Sequence, residues 1–322
     1  MQSLSSSVLI PSFRRPDYLR RCLLSLATQT QLPDEVIVVW QADDTPTRDV
    51  VQLLLPSSPY VLRLLHCAEA GIVNAENAAL DAATSDIILL CDDDVIVPET
   101  WLARHLSFYA DPSVGAVGGS ANNHHSDAAP FPKRSVKPIG RLTWYGKSHG
   151  NMYDHIEAWT NLEPIECDHL VGYNMSLRRC AFDRFESALR PYWQKFELDA
   201  CLQVKARGYR VLFDFANVVD HYPTNTVYTS GRGGNLQVKI VNGCYNECFI
   251  LAKFSPANLR FWRLVYLFLF GSVNSPGLLA SLRAIQLYGK PYRELKILHT
   301  VWTERIAGWK DGLQARELRS EF

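Results

Sequence analysis

Two hydrophobic rhythms alternate through the first 120 positions. Short continuous apolar runs occur at Ser7–Pro11, Glu35–Trp40, Val61–His66, Ile87–Cys91 and Val114–Gly118. They are rich in Val, Ile and Leu, the pattern of strands buried on both faces. Between them, Leu19, Cys22, Leu23 and Leu26 recur at helical spacing within Asp17–Thr28. Thr47–Leu55 reads as a helix stopped by Pro56, Asn74–Ala83 as an Ala-rich helix, and Glu99–Tyr109 as a helix opened by Pro98. Asp17 is the expected N-cap of the first helix. Strands and helices alternating over short connections predict an α/β fold with a mostly parallel central sheet flanked by helices. Ligands of such sheets bind beyond the carboxyl ends of the strands.

The rhythm weakens over residues 121–165, where Asn, His, Pro, Gly and aromatic residues dominate, so a long loop with a short helix is expected there. Order returns at 166–222. Asp183–Arg190 reads as a short helix, Glu197–Arg207 as a helix ended by Gly208, and Tyr209–Phe215 and Val218–Val219 as strand. From Leu236 the chain reads as a helical C-terminal appendage, dividing it into 1–235 and 236–322.

Charge and cysteine content narrow the function classes. Lys and Arg number 33, as do Asp and Glu, and this balance argues against a general nucleic-acid coat. Eight cysteines in 322 residues are too few for a disulfide scaffold, so thiols acting as small hydrophobes are expected. The N-terminus lacks a signal-peptide pattern, and the longest apolar run, Leu264–Val273, is shorter than the ~20 residues that span a bilayer. A cytoplasmic chain is expected, with peripheral contact at the inner face of the cell membrane left open. Residues 256–322 carry ten Lys/Arg and five Asp/Glu, a net of 10 − 5 = +5, among several aromatics. Such a segment can lie on an anionic membrane or pack as a helical hairpin.

The central chemical feature is Asp92-Asp93-Asp94, directly after a buried strand. Adjacent carboxylates repel one another unless a cation or several donors offset them. Their hard oxygens suit Mg²⁺ or Mn²⁺. The first strand runs into PSFRRPD without a glycine, so a dinucleotide fingerprint is absent.

Four segments in order, VLIPSFRRPDYLRRCLLSL, GIVNAENAALDAATSDIILLCDDDVIVP, DHLVGYNMSLRRCAFDRF and ELDACLQVKARGYRVLFDFANVVDHYP, span residues 8–223. Together they resemble the family 2 glycosyltransferases, which use nucleotide-sugar donors on a GT-A fold. The resemblance implies a nucleotide-binding half at 1–120 and an acceptor-binding half at 121–235. It places Pro11, Ser12 and Phe13 at the nucleobase, with Arg14 or Arg15 on the base or diphosphate. The family's acidic residue after the second strand has no direct counterpart in VVWQADDTP; Asp43 and Asp44 come three residues late. Asn74 and Asn77 fall near the ribose, or else cap their helix.

The same resemblance gives Asp92 the ribose or a metal-bound water, Asp94 the metal, Asp93 a supporting place, and His221 completion of the metal or diphosphate site. Gly172 and Asn174 match a G-x-N-M segment that approaches the donor sugar. Counting back from Gly208-Tyr209, the catalytic base falls on Glu197, with Asp199 the next acid. Trp144, Tyr145 and Trp159 could stack an acceptor sugar, and Gly231-Arg232-Gly233-Gly234 could close as a lid.

The implied activity is inverting, metal-dependent transfer of one sugar. The donor would be a UDP-, GDP- or dTDP-linked sugar and the acceptor a glycan or a lipid-linked molecule, with no nucleic-acid partner. Two rivals stand beside it: a nucleotidyltransferase, and an inactive nucleotide-sugar-binding module.

Overall fold

The structure is a computed structural model that describes residues 4–124, 139–149, 155, 161–191, 195–223, 236–272, 275–288 and 291–320. Most of the loop expected at 121–165, with Trp159, and the Gly231–Gly234 lid segment lie outside the described residues. The chain forms two compact units. The first comprises Met1–Gly140, Gly150–Glu186 and Ala200–Thr224; the second comprises Arg141–His149, Ser187–Asp199 and Asn225–Phe322.

The first unit opens with β1 (Ser6–Ser12), α1 (Pro16–Ala27), β2 (Glu35–Gln41), α2 (Thr45–Leu54), β3 (Val61–Cys67), α3 (Ile72–Ala82) and β4 (Ile87–Leu90). It continues with β5 (Val95–Ile96), α4 (Trp101–Ser107) and β6 (Val114–Asn123). The hairpin β7 (Arg141–Leu142) and β8 (Ser148–His149) belongs to the second unit. Then come β9 (Ile165–Glu166), β10 (Met175–Arg178), α5 (Phe196–Ala206) and β11 (Arg210–His221).

One sheet has the order β3-β2-β1-β4-β10-β6-β11-β5, with β9 also paired to β11. Strands β3, β2, β1 and β4 are mutually parallel, as are β6 and β11, whereas β10 runs antiparallel to both its neighbours. The expected helix-flanked α/β sheet is present. Strand order departs in opposite directions from β1 and β4, which makes the crevice at their carboxyl ends a topological switch point. Val8, Ile10, Val36, Val38, Ile87, Leu89 and Trp101 fill the core beneath it.

Several local expectations need correction. Arg15, not Asp17, occupies the N-cap of α1; Asp17 sits in the first turn, where its charge complements the helix dipole. Gly71 is the N-cap of α3, so neither Asn74 nor Asn77 caps it. The helix expected at Asp183–Arg190 is absent. Its backbone is claimed by side chains instead: Asn77 brackets Phe185 N–H and C=O, and Gln203 takes Asp183 N–H and donates to Arg184 C=O. Such bonds compete with helical ones. The two strand-like pieces at 209–219 are one long strand, β11, with a register irregularity between Phe213 and Val218.

In the second unit, α6 (Leu236–Phe254), α7 (Ala257–Val265), the pair β12 (Gly271–Ser272) and β13 (Ser275–Pro276), α8 (Leu278–Tyr288) and α9 (Pro291–Ser320) pack together. Glycines let α9 lie directly on α6: a Cβ at Gly308 would sit 2.2 Å from Tyr245 C=O, and one at Gly312 2.2 Å from Phe249 C=O. None of the helices among the described residues is long and apolar enough to cross a membrane.

A buried polar hub ties α4 to β10. Asn174 Oδ1 accepts from Trp101 Nε1 at 2.9 Å and faces His105 Nε2 at 3.1 Å, while His105 Nδ1 lies 2.9 Å from Ser176 Oγ. Burial lowers the His105 pKa from 6.5 to about 4, only partly opposed by the Asn174 bond. Between those values the unfolded chain binds a proton that the folded chain does not, so stability falls as pH falls. The full effect is on the order of 3 kcal/mol. Urea unfolding of wild type and His105→Gln at pH 7 and pH 4.5 tests this. The wild-type midpoint should fall more steeply; parallel losses would contradict the assignment.

Candidate active site

The acidic turn follows β4 at the switch point. Asp92 is half-buried; Asp93 and Asp94 are buried. Ser12, the last residue of β1, donates Oγ–H to Asp93 Oδ2 at 2.7 Å. Arg15, at the start of α1, places Nη1 2.9 Å from Asp93 Oδ1 and 2.7 Å from Asp94 Oδ2. Burial still pushes the Asp93 carboxyl up to about 7; Arg15 and Ser12 oppose the rise, and Asp94 and Asp92 add to it.

His221 reaches the turn through sheet pairing. β5, immediately after the acidic turn, pairs antiparallel with the end of β11, setting His221 opposite Val95. The backbone closes the contact, with Tyr222 N–H donating to Asp94 C=O at 2.9 Å. His221 Nε2 then lies 3.3 Å from Asp94 Oδ1. Its Nδ1 lies 2.7 Å from Asn123 Oδ1, and its ring stacks on Tyr173 with centroids 4.7 Å apart. Asn123 Oδ1 can only accept, so Nδ1 carries a proton and Nε2 is the ring nitrogen that faces Asp94.

That arrangement suits a divalent cation. One ligand atom each from Asp92, Asp94 and His221 lies within 4.8 Å of the others. Two carboxylates and one imidazole make a donor set for Mn²⁺ or Mg²⁺. The hydrogen bond from His221 Nδ1–H orients the ring with Nε2 toward the acidic turn, as outer partners of metal-bound imidazoles do.

Other expected residues surround this cluster in different ways. Pro11 is buried within β1 and Phe13 is half-buried beside Arg14. A cleft of about 330 Å³ is lined by Arg14, Pro16, Asp43, Asp44 and Pro46. Asp43 is exposed at its edge, whereas Asp44 is buried, accepts from Arg14 N–H and caps α2 through Thr47 N–H. Arg14 has a φ of 58° and Ala42 a φ of 51°, so the loops after β1 and β2 both hold left-handed residues beside this cleft. Gln41 is spent inside, donating to Ser12 C=O at 3.3 Å and accepting from Gly71 N–H at 2.8 Å.

Asn74 is exposed on α3, but Asn77 is buried on Phe185. Gly172 is buried. Asn174 is fully enclosed: besides Trp101 and His105 it donates to Ser120 C=O and Asn217 C=O, each at 3.0 Å. Its side chain ties strands together rather than reaching outward.

Glu197 and Asp199 lie in the first turn of α5, in the second unit. Asp199 is fully buried and pairs with Lys253 Nζ of α6 at 2.7 Å, an ion pair also closed to solvent. Glu197 is only half-buried. Sequence reasoning missed Asn123 and Lys253 altogether. The first is opposite His221 only through the β6–β11 register, and the second is 54 residues from its partner.

Comparison with known proteins bears on the fold and the family. A mannosyltransferase, PcManGT from Pyrobaculum calidifontis, solved with GDP-Man and Mn²⁺, superposes with a TM-score of 0.60 at 18% identity, covering 100% of this chain and 88% of that one. GalNAc-T7, solved with UDP, GalNAc and Mn²⁺, gives 0.61 at 12% identity, covering 100% and 58%. Identities this low show the shared fold alone. In sequence, an N-acetylglucosaminyltransferase of Bradyrhizobium elkanii is 29% identical over 119 residues, 36% of this chain and 65% of its own length. The uncharacterized glycosyltransferase YibD of Escherichia coli (strain K12) is 33% identical over 93 residues, 29% of this chain and 27% of its own length. The matches thus span less than two thirds of either relative. The model of "Glycosyl transferase family 2" matches residues 7–182. Since that match starts in the first strand, runs through the acidic turn and the Gly172–Met175 segment, and takes in more than half of the sequence, the chain belongs to glycosyl transferase family 2.

Proposed function

We propose that this protein transfers a single sugar from a nucleoside-diphosphate sugar to an acceptor hydroxyl, with inversion at the anomeric carbon. The observation that supports it most is the grouping of Asp92, Asp94 and His221 at the carboxyl ends of β4 and β11. Solved proteins of the same fold hold GDP-Man or UDP together with Mn²⁺, which favours a nucleotide-sugar donor and Mn²⁺ here. A divalent cation on Asp94, Asp92 and His221 would supply Lewis-acid stabilisation of charge on the departing diphosphate.

The chain's own residues do the rest. The base of the donor enters the cleft beside Arg14 and Asp43, with Pro11, Ser12 and Phe13 behind it. Arg15 keeps Asp93 and Asp94 in place, with Asp94 Oδ1 turned toward His221 Nε2. Gly172 lets the backbone approach the sugar, and Asn174 acts indirectly by fixing that segment. Glu197 takes the proton from the acceptor hydroxyl, whose oxygen bonds to the anomeric carbon as the bond to the diphosphate breaks. Asp199 is bound to Lys253, so it serves as a positioning residue for the α5 first turn. The acceptor is a glycan or a lipid-linked molecule.

Thermal shift with UDP, GDP and dTDP, each with and without Mn²⁺, tests the donor side. Ligands that bind only the folded state raise the melting temperature by mass action. One nucleotide should give a shift that needs Mn²⁺ and disappears in Asp94→Asn. No shift with any of them would contradict the reading.

The two acids of α5 should separate cleanly. Glu197→Gln should lower kcat roughly 10²–10⁴-fold while donor binding and melting temperature hold, as expected for loss of a general base. Asp199→Asn should instead lower stability by roughly 3–5 kcal/mol, because it strands the buried Lys253 ammonium. Equal losses of activity with no change in stability would reverse the assignment.

A further inference from the structure

Six aromatic rings of the second unit form one continuous contact chain. Phe261 meets Trp262 at 5.4 Å between centroids, Trp262 meets Trp144 at 6.2 Å, and Trp144 meets Tyr145 at 5.3 Å. Tyr145 then meets Tyr266 at 4.9 Å, and Tyr266 meets Phe270 at 6.5 Å. Four of these side chains are outward: Phe261 is 65% exposed, Trp144 58%, Phe270 54% and Trp262 50%. Leu269 beside them, and Leu279 and Leu282 on α8, are exposed as well. Gly277 abuts the backbone of Leu269 and Phe270, which seats the start of α8 against this turn.

The base of the chain is rigid. Arg263 is buried; its Nε donates to Trp144 C=O at 3.2 Å and its Nη1 to Ser255 Oγ at 2.8 Å. This pins the Trp144 loop to α7. A Cβ at Gly146 would lie 3.0 Å from Leu251, so the same loop sits close on α6. The rings are therefore held outward by an ordered scaffold.

Charge and ring geometry identify the partner. Residues 257–288 contain three arginines and no Asp or Glu, and of these Arg283 is exposed and Arg260 half-buried. An apolar aromatic wedge on a segment whose only charged side chains are arginines suits the headgroup region of an anionic bilayer. A sugar-stacking shelf needs flat faces held parallel. Here Phe261, Trp262, Trp144 and Tyr145 meet edge to face in turn, at 72°, 78° and 84°, and present no common face, while Tyr145 meets Tyr266 at 58° and Tyr266 and Phe270 lie near parallel at 16°. We propose that the face formed by Trp144, α7, the Tyr266–Phe270 turn and the start of α8 docks on an anionic membrane surface, inserting Phe261, Trp262 and Phe270 into the interface.

The test is flotation of the full chain with vesicles of phosphatidylcholine alone and with 30% phosphatidylglycerol. A triple variant, Phe261→Ser, Trp262→Ser and Phe270→Ser, is compared with wild type. A control, Leu53→Ser, removes an exposed leucine of the first unit. Wild type and control should float with the anionic vesicles, with tryptophan emission shifting to the blue, and the triple variant should bind at least tenfold more weakly. Circular dichroism confirms that the variant is folded, and the single variant Phe261→Ser, with a smaller loss expected, serves if it is not. Absence of binding to anionic vesicles, or binding unchanged in the folded variants, would overturn the proposal. So would a wild-type dimer in light scattering that the triple variant abolishes, because it would make a second copy the occupant of this face.

Discussion

Mutual repulsion among Asp92, Asp93 and Asp94 is the constraint around which the first unit is arranged. Three carboxylates on one turn, two of them buried, must be balanced by charge and donors brought from elsewhere. β1 supplies the Ser12 hydroxyl and the start of α1 supplies the Arg15 guanidinium, while β11 sets His221 beside Asp94. Each arrives at the carboxyl end of a strand in the same sheet. β4 ends at Leu90, opposite Leu9, while β1 runs on to Ser12, so the acidic turn lies alongside the last residues of β1. Arg15 lies on one side of Asp94 and His221 on the other, and the His221 side is where Asp92, Asp94 and His221 would hold a divalent cation.

Support for the site lies one layer behind it. Asn123 holds the His221 ring by Nδ1, and Tyr173 stacks on its face. Tyr173 belongs to the Gly172–Met175 segment, which is anchored by the Asn174 hub to α4, β6 and β11. Residues distant in sequence thus set the orientation of one imidazole. In the second unit, a buried ion pair between α5 and α6 orders the turn that carries Glu197. Burying both partners separates Asp199, which serves the scaffold, from Glu197, which retains exposure.

Much of this was legible in the sequence because it rests on local pattern. Continuous Val/Ile/Leu runs reported the buried strands, 3.6-residue spacing reported α1, and the acidic triplet after a buried strand reported the cluster. What depended on pairing was hidden. The register that sets His221 against Asn123 follows from β6 and β11, and the encounter of Lys253 with Asp199 follows from helix packing. Side chains that capture backbone groups also misled local reading: Asn77 and Gln203 hold residues 183–185 out of the helix their composition suggested. Asn174 looked like a sugar contact because its segment matched a motif. Its surroundings turn its amide inward.

The central claim is that Asp92, Asp94 and His221 hold one divalent cation beside a nucleoside diphosphate. The most direct measurement is anomalous diffraction from crystals of the protein grown with Mn²⁺ and whichever nucleoside diphosphate binds. One manganese peak is expected within bonding distance of Asp94, close to His221 Nε2 and to Asp92, beside the bound diphosphate. A nucleotide bound with its manganese elsewhere, or bound beside Asp94 with no manganese peak, would contradict it.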